Sequence, residues 1–344
     1  MKKKLLSMFS ILLLLSSCST QDEPTLAPPV DAKTYTVSFG LAGEITSITD
    51  SPLTRAVSND LYGIQVYSTP DSSYAGGAYQ SERPYAYGLF DDKAKMSIKL
   101  LAGYKYRFIC TMIVDAKSKL YYWGNYYYTW PFYIHNGNNN QPELSIFNYS
   151  TDNAISGLIS GSSQIKDSIG GYNNYGRPNT DRYFGETRDY VPTKNSTVTI
   201  NMNRMVFGAK FVAEGMESGK LFIQMESSPL LTLEAPNTEV QDIFTFSSVY
   251  SPGWIDPMSG EFIDYSEDIS VSINWLNADS VKVPIASQNI RFTRNKLTTI
   301  KVRVQDSTMA NSIGITTEDK PMAAGDTITI GGGSSTDTPI NPVP

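Results

Sequence analysis

Few residues in this sequence have the types and spacing that chemistry needs. His135 is the only histidine, so a multi-histidine zinc site is impossible and a histidine-based triad would depend on that one imidazole. No G-x-x-x-x-G-K-[ST] loop, H-E-x-x-H helix, C-x-x-C pair or G-x-S-x-G elbow is present. Acids cluster at Asp256, Glu261, Asp264, Glu267 and Asp268, and hard oxygen ligands at close spacing could hold calcium near Asp264. Their spacing matches no EF-hand loop and lacks its central glycine, which favours a solvated loop. Paired carboxylates for glycoside hydrolysis are defined by tertiary geometry rather than spacing. The expectation is a protein that is not an enzyme and uses no cofactor or metal.

The two cysteines do different work. Lys2, Lys3 and Lys4 precede an apolar stretch from Leu5 to Leu15, too short to anchor stably across a bilayer, and this is the form of an export signal. It ends in Leu15-Ser16-Ser17-Cys18, the spacing of a bacterial lipobox, where small residues admit the peptidase and the thiol takes a diacylglycerol. Several acyl chains, at about 0.8 kcal/mol per buried methylene, hold a chain on a membrane without a transmembrane helix. Cys110 is then alone in an oxidising compartment and has no intramolecular partner. It shares parity with Tyr104, Tyr106, Phe108 and Met112, which predicts a small buried hydrophobe on a strand.

The 344 residues allow two domains, and 40% hydrophobic with 18% charged residues is the composition of a folded protein. The net charge is −6, and loss of residues 1–17 removes three lysines and no acid, leaving −9. Such a chain has no surplus of cations for phosphates, so nucleic acid is not an expected partner.

Period-two alternation recurs at Tyr35, Val37, Phe39, Leu41; Tyr62, Ile64, Val66; Met96, Ile98, Leu100; Val198, Ile200, Met202; and Ile300, Val302, Val304. No long helical period competes. Turn signals at Thr69-Pro70-Asp71, Asn136-Gly137, Glu217-Ser218-Gly219 and Asn295-Lys296 separate these runs, so the fold class is all-β, built of sandwiches. A polar stretch from Gly157 to Thr193 precedes renewed strands, which places the domain boundary near 190 to 195. Between Tyr121 and Tyr133 nine of thirteen residues are aromatic, more than one buried strand face absorbs. Some must be exposed or lie at an interface, and Trp123, Tyr127 and Trp130 are the candidate adhesion aromatics, able to stack on sugars or on a protein. The tail from Gly331 to Pro344 is linker-like.

Four features in order along the chain carry a resemblance. The lipobox at Cys18 is followed by a segment holding the Tyr35 to Leu41 alternation. Pro52-Leu53-Thr54-Arg55-Ala56 is similar to a site that a trypsin-like protease trims after arginine, and it stands just before Asp60-Leu61-Tyr62-Gly63-Ile64. Tyr85-Ala86-Tyr87-Gly88-Leu89-Phe90 leads through Met96 to Leu100 and on to Gly103-Tyr104-Lys105-Tyr106-Arg107-Phe108. Asn203-Arg204-Met205-Val206-Phe207-Gly208-Ala209-Lys210-Phe211 opens a second unit. In this order the chain resembles a fimbrillin of the Bacteroidales type V pili over essentially its whole length, and Ser19 to Glu23 resembles the acidic surface-export tags of Bacteroidales lipoproteins.

The resemblance implies two transthyretin-like β-sandwich domains in tandem. It implies residues 1–17 as lipoprotein signal peptide, 18–55 as lipidated prosegment with a removable strand (Tyr35, Val37, Phe39, Leu41), 56–192 as the first domain and 193–344 as the second with its tail. Processing between Arg55 and Ala56 would release that strand and open a groove for a strand from another copy or a related pilus subunit. The implied partners are those subunits, a trypsin-like maturation protease, a host or bacterial surface ligand and the lipid anchor. The implied location is the outer membrane surface, then the fimbrium after processing. Ile313, Ile315, Ile328 and Ile330 are the candidate donor strand; the alternative is that this tail is an internal strand of the second domain. Shaft, tip and anchor positions all remain open, and a solitary surface glycan-binding lipoprotein using Tyr121 to Tyr133 is the competing function.

Overall fold

A computed structural model describes residues 32–45, 59–71, 81–124, 126–134, 141–166, 171–250, 265–304, 312–315 and 320–321, the last two by backbone alone. Cys18, Arg55, Ala56, His135, Asp256, Glu261, Asp264, Ile328 and Ile330 lie outside these residues.

The first part of the chain forms β1 (Thr34–Gly43), β2 (Leu61–Pro70), β3 (Arg83–Phe90), β4 (Ser97–Leu101), β5 (Tyr104–Ile113), β6 (Tyr122–Trp123), β7 (Tyr127–Tyr128), β8 (Ile146–Tyr149), β9 (Ser163–Lys166), β10 (Tyr172–Tyr175), β11 (Arg182–Tyr190) and β12 (Ser196–Arg204). Eight of these make one sheet in the order β4-β1-β12-β11-β5-β2-β3-β8. The sheet folds over so that its two ends meet across a shared core. Phe39 of β1 touches Phe108 edge-on at 5.1 Å and Phe147 of β8 at 5.9 Å between ring centres, and the Tyr149 hydroxyl bonds the Lys99 backbone of β4 at 3.2 and 3.3 Å. Alternation decides which side chains point inward: Val37, Phe39, Ile98, Leu100, Ile64, Val66, Phe108, Cys110, Ile200 and Met202 all join this core.

The centre of the sheet is covered on its other face as well. Residues between β5 and β11 cross it and pack Phe132, Ile134, Ile155, Leu158 and Ile165 against Leu61, Leu89, Ile113 and Phe184. Gly63 permits this approach, because a Cβ there would lie 2.7 Å from the Phe132 ring. The Gln65 side chain accepts the Ile155 amide at 2.9 Å, and Arg182 donates to the carbonyls of Gly157 and Leu158 at 3.1 and 2.9 Å. Burial without a carboxylate lowers the Arg182 pKa to about 9.

The domain boundary expected at 192/193 falls inside this sheet. β12 pairs antiparallel with β11 and parallel with β1, so the first sandwich runs through Arg204 and only Met205 separates it from the next strand. The polar stretch that suggested the earlier boundary includes β9 and β10 and a strap that leads into β11.

The second sandwich contains β13 (Val206–Glu214), β14 (Lys220–Met225), β15 (Leu231–Glu234), β16 (Glu239–Thr245), β17 (Ser266–Leu276), β18 (Lys282–Thr293), β19 (Lys296–Arg303), β20 (Ser312–Ile315) and β21 (Lys320–Pro321). One sheet has the order β16-β13-β19-β20, with β21 also on β19; the facing sheet is β15-β14-β17-β18. Phe207, Phe211, Leu221, Ile223, Val271, Ile273, Phe292, Ile300 and Val302 fill the space between them. At Asn295, with φ 56°, the chain turns tightly from β18 into β19.

Polar pairs join the two sandwiches. Arg294 donates to the Arg204 carbonyl at 3.1 Å, Arg177 meets Glu267 at 2.5 Å, and Asn179 donates to Asp242 at 2.9 Å. The Gly161 amide donates to the Ser247 carbonyl at 2.9 Å. Among the described residues no helix is long and apolar enough to cross a membrane.

Candidate functional site

The alternating residues Tyr35, Val37, Phe39 and Leu41 all stand on β1, which lies between two neighbours. On one side it runs parallel to β12, from Val37 opposite Ser196 to Gly43 opposite Met202; on the other it runs antiparallel to β4, with Val37 opposite Ile98. Val37 and Phe39 are buried, whereas Tyr35 and Leu41 are half-buried. The strand is therefore held by two backbone ladders and a small apolar contribution, about 3 to 6 kcal/mol for two large side chains before ordering costs. Without it, β4 and β12 would each present unpaired backbone groups beside an opened core.

A charged anchor closes the far end of this strand. Glu44 follows β1 directly, and its Oε2 accepts from the Arg204 backbone amide at 2.6 Å and from Arg294 Nη1 at 2.8 Å. Arg294 belongs to the turn between β18 and β19, so one carboxylate at the end of β1 touches both sandwiches. The Arg204 side chain points elsewhere, onto Asp181; burial opposes its charge, the Asp181 carboxylate outweighs that, and its pKa rises.

The aromatic stretch forms a second candidate site. β6 and β7 make a short hairpin, with Trp123 opposite Tyr127, and Gly124 at φ 53° turns it. Tyr126 is 80% exposed and Trp123 53%. Tyr172 of β10 lies on Tyr121 at 4.2 Å between ring centres, and Tyr121 meets Trp123 edge-on at 5.8 Å. The result is a platform of rings facing solvent. Of the expected contact residues Trp123 belongs to it. Tyr127 and Trp130 are half-buried: Tyr127 packs on Tyr133 at 6.0 Å, and Trp130 closes over Gly157, whose Cβ would lie 2.8 Å from its ring. Tyr126 and Tyr172 take their place at the surface. Tyr126 was present in the aromatic run, but Tyr172 arrives from β10 because β9 pairs beside Leu120.

Ile313 and Ile315 lie in β20, antiparallel to β19 of the same chain, opposite Val302 and Ile300. The tail here is an internal edge strand. Cys110 is fully buried on β5, and burial pushes its thiol up to about 12, which suits packing rather than attack. Among the described residues no three His, Cys, Asp or Glu side chains are grouped to hold a metal; Glu267 is paired with Arg177 and Asp268 with Arg291. A cavity of about 160 Å³ lies by Thr69, Lys105 and Arg188, but Arg107 at its edge is held by Glu82 and Glu186 and stacks on Tyr67.

No protein-family model and no curated protein matches the chain. Solved structures do. The fimbrial anchor protein Mfa2 from Porphyromonas gingivalis is similar with 8% identity and a TM-score of 0.34, covering 84% of this chain and 99% of that one. A candidate polysaccharide-binding protein from Bacteroides thetaiotaomicron shows 9% identity and a TM-score of 0.36 over 83% and 98% of the two chains. The tip fimbrial protein Mfa3 from Porphyromonas gingivalis shows 8% and 0.31 over 83% and 100%. At TM-scores this low no residue role transfers from one chain to another. The chain is similar, at low identity, to fimbrial and candidate adhesive proteins of Porphyromonas and Bacteroides.

Proposed function

We propose that this chain is a pilus subunit or adhesin of the cell surface, exported as a lipoprotein on Cys18, cut between Arg55 and Ala56, and assembled when a strand from another subunit fills the place of β1. One observation carries this reading. The first described strand sits in the interior of a sheet, bonded on both sides, yet buries only two of its ten residues. It is joined to β2 through residues 46–58, which contain Arg55. A strand so placed can be cut away from the rest of the fold at one peptide bond, and the vacancy demands a replacement. No catalysis enters this reading.

The test is to treat the exported chain, residues 18–344, with a trypsin-like protease, sequence the new amino terminus and image the product. Expected are a chain beginning at Ala56 and, after loss of residues 18–55, linear assemblies. If Arg55 survives in the folded precursor while other bonds are cut, the reading fails.

The platform of Tyr121, Trp123, Tyr126 and Tyr172 favours a contact function in addition, with a glycan or a protein as ligand. A solitary glycan-binding lipoprotein would use the same rings. It would have no need of a cut at Arg55, and the protease experiment separates the two readings.

A further inference from the structure

The cavity on the outer face of β2, β5 and β11 is lined by charges that do not neutralise one another. Thr69 of β2 lies opposite Lys105 of β5, and Lys105 shares its face of the strand with Arg107. Arg107 is fully engaged: it donates to Glu82 at 2.7 Å and to Glu186 at 3.0 Å, and its guanidinium stacks on the Tyr67 ring at 4.3 Å. Those two carboxylates are thereby withdrawn from Lys105. Among the described residues the half-buried Lys105 ammonium makes no hydrogen bond and no ion pair, and neither does the Asp189 carboxylate, although both line the same cavity.

A break in β11 builds the other wall. Thr187 stands opposite Phe108 and Tyr190 opposite Tyr106, so Arg188 and Asp189 together face Arg107 as a bulge. Asp189 takes φ 55°, a left-handed conformation that glycine adopts freely and a side chain adopts under strain. No bond within the fold accounts for an aspartate there, and such outliers gather at ligand sites. Arg188 is fixed beside it by Glu186 at 3.2 Å and by the Tyr250 hydroxyl at 2.6 Å, both through Nη2, which leaves Nε and Nη1 unbonded. The unengaged groups are therefore the Lys105 ammonium, two Arg188 nitrogens, the Thr69 hydroxyl and one carboxylate. Donors outnumber acceptors. A ligand that matches them brings a carboxylate for the cations and hydroxyls for Asp189 and Thr69, whereas an ammonium would satisfy Asp189 alone. The volume is about 160 Å³, room for one six-membered ring, since a cavity of about 150 Å³ holds benzene. We propose that this cavity binds a sugar acid, its carboxylate on Lys105 and Arg188 and its hydroxyls on Asp189 and Thr69. The site shares no residue with β1 or with the platform of rings.

The test uses the uncut exported chain, residues 18–344, so its outcome is independent of cleavage and assembly. Glucuronate, glucose, acetate and alanine are titrated in turn by calorimetry. Glucuronate should bind at least about tenfold more tightly than the other three. Lys105→Met keeps the stem and removes a group without a partner, so the melting temperature should hold while glucuronate falls to the level of glucose. Asp189→Gly relieves the backbone at φ 55° and so does not lose binding through misfolding; it should weaken glucuronate about fivefold and leave acetate unchanged. If acetate binds as tightly as glucuronate, the cavity takes any small anion and the sugar acid is refuted. If alanine binds as tightly, the ligand is a zwitterion and the sugar acid is again refuted. If glucuronate is not preferred to glucose, or if Lys105→Met leaves that preference intact, the site itself falls. Stacking of a glycan on the platform of rings gives no preference for acid over neutral sugar that Lys105 could abolish, so that reading stands or falls separately.

Discussion

The two sandwiches use their first strand in the same way and hold it differently. In each, the opening strand lies parallel to a late strand of its domain, β1 beside β12 and β13 beside β19, with an antiparallel neighbour on the other side. β13 buries Val206, Phe207, Gly208, Ala209, Phe211 and Ala213, and one residue ties it to the strand before it. β1 buries Val37 and Phe39 and reaches its domain only through residues 46–58. One topological position is thus a permanent part of its core in the second domain and a shallow insert in the first. Pairing alone does not make a strand permanent; the depth of its side chains and the continuity of the chain do.

The largest effect should come from deepening that contrast. Phe211→Ala should cost about 3 to 5 kcal/mol in urea unfolding of the second sandwich; a loss under about 1 kcal/mol would put β13 in the same shallow class as β1. Next, in the uncut chain the amides of Phe39 and Leu41 should exchange with solvent at least about thirtyfold faster than those of Phe211 and Ala213, because β1 can leave by local opening while β13 opens only with its domain. Equal protection would remove the distinction.

The domains should also answer pH in opposite senses. Burial raises the Asp242 pKa to about 6, so the folded second sandwich holds that proton where the unfolded chain has lost it. The stability this gives is present below about pH 4 and is lost as pH rises to about 6. Asp242→Asn should flatten the slope and gain on the order of 1 to 3 kcal/mol at pH 7. In the first sandwich the hydrogen bond from Lys117 lowers the Asp91 pKa, so its contribution is present at neutral pH and is lost as pH falls through the lowered value. Melting curves of Asp242→Asn and Asp91→Asn against pH check both signs. The smallest effect is expected at the platform, where Tyr126→Ala should move stability by less than about 0.5 kcal/mol and yet weaken adhesion to cells or glycan arrays.

The strands themselves were legible because alternation reports burial directly. Val37 and Phe39, Ile64 and Val66, Ile200 and Met202, and Ile300 and Val302 all point into cores as their spacing predicts. What the sequence hid was long-range pairing. Ser196–Arg204 joins the first sheet through β11 just before it and through β1 some 160 positions earlier, and no local pattern near residue 193 carries the partnership with β1. β1 was legible for the same reason as the others, while its charged end was not: Glu44, Arg204 and Arg294 are distant in sequence and no motif unites them. The platform was half legible. Its aromatic run announced exposed rings, but the choice of Tyr126 over Trp130 was made by the crossing segment packed beneath, and Tyr172 came from another strand pair.

The single residue between β12 and β13 also sets how the molecule bears a load. β1 is bonded along β12, β12 continues through Met205 into β13, and β13 is bonded along β19. Tension applied along such a path meets each ladder lengthwise. To slip, a strand must shear every bond from Val37 to Gly43 together, whereas peeling from one end would break them singly. With no slack between the two ladders, a pull on one is passed to the next without stretching a loop.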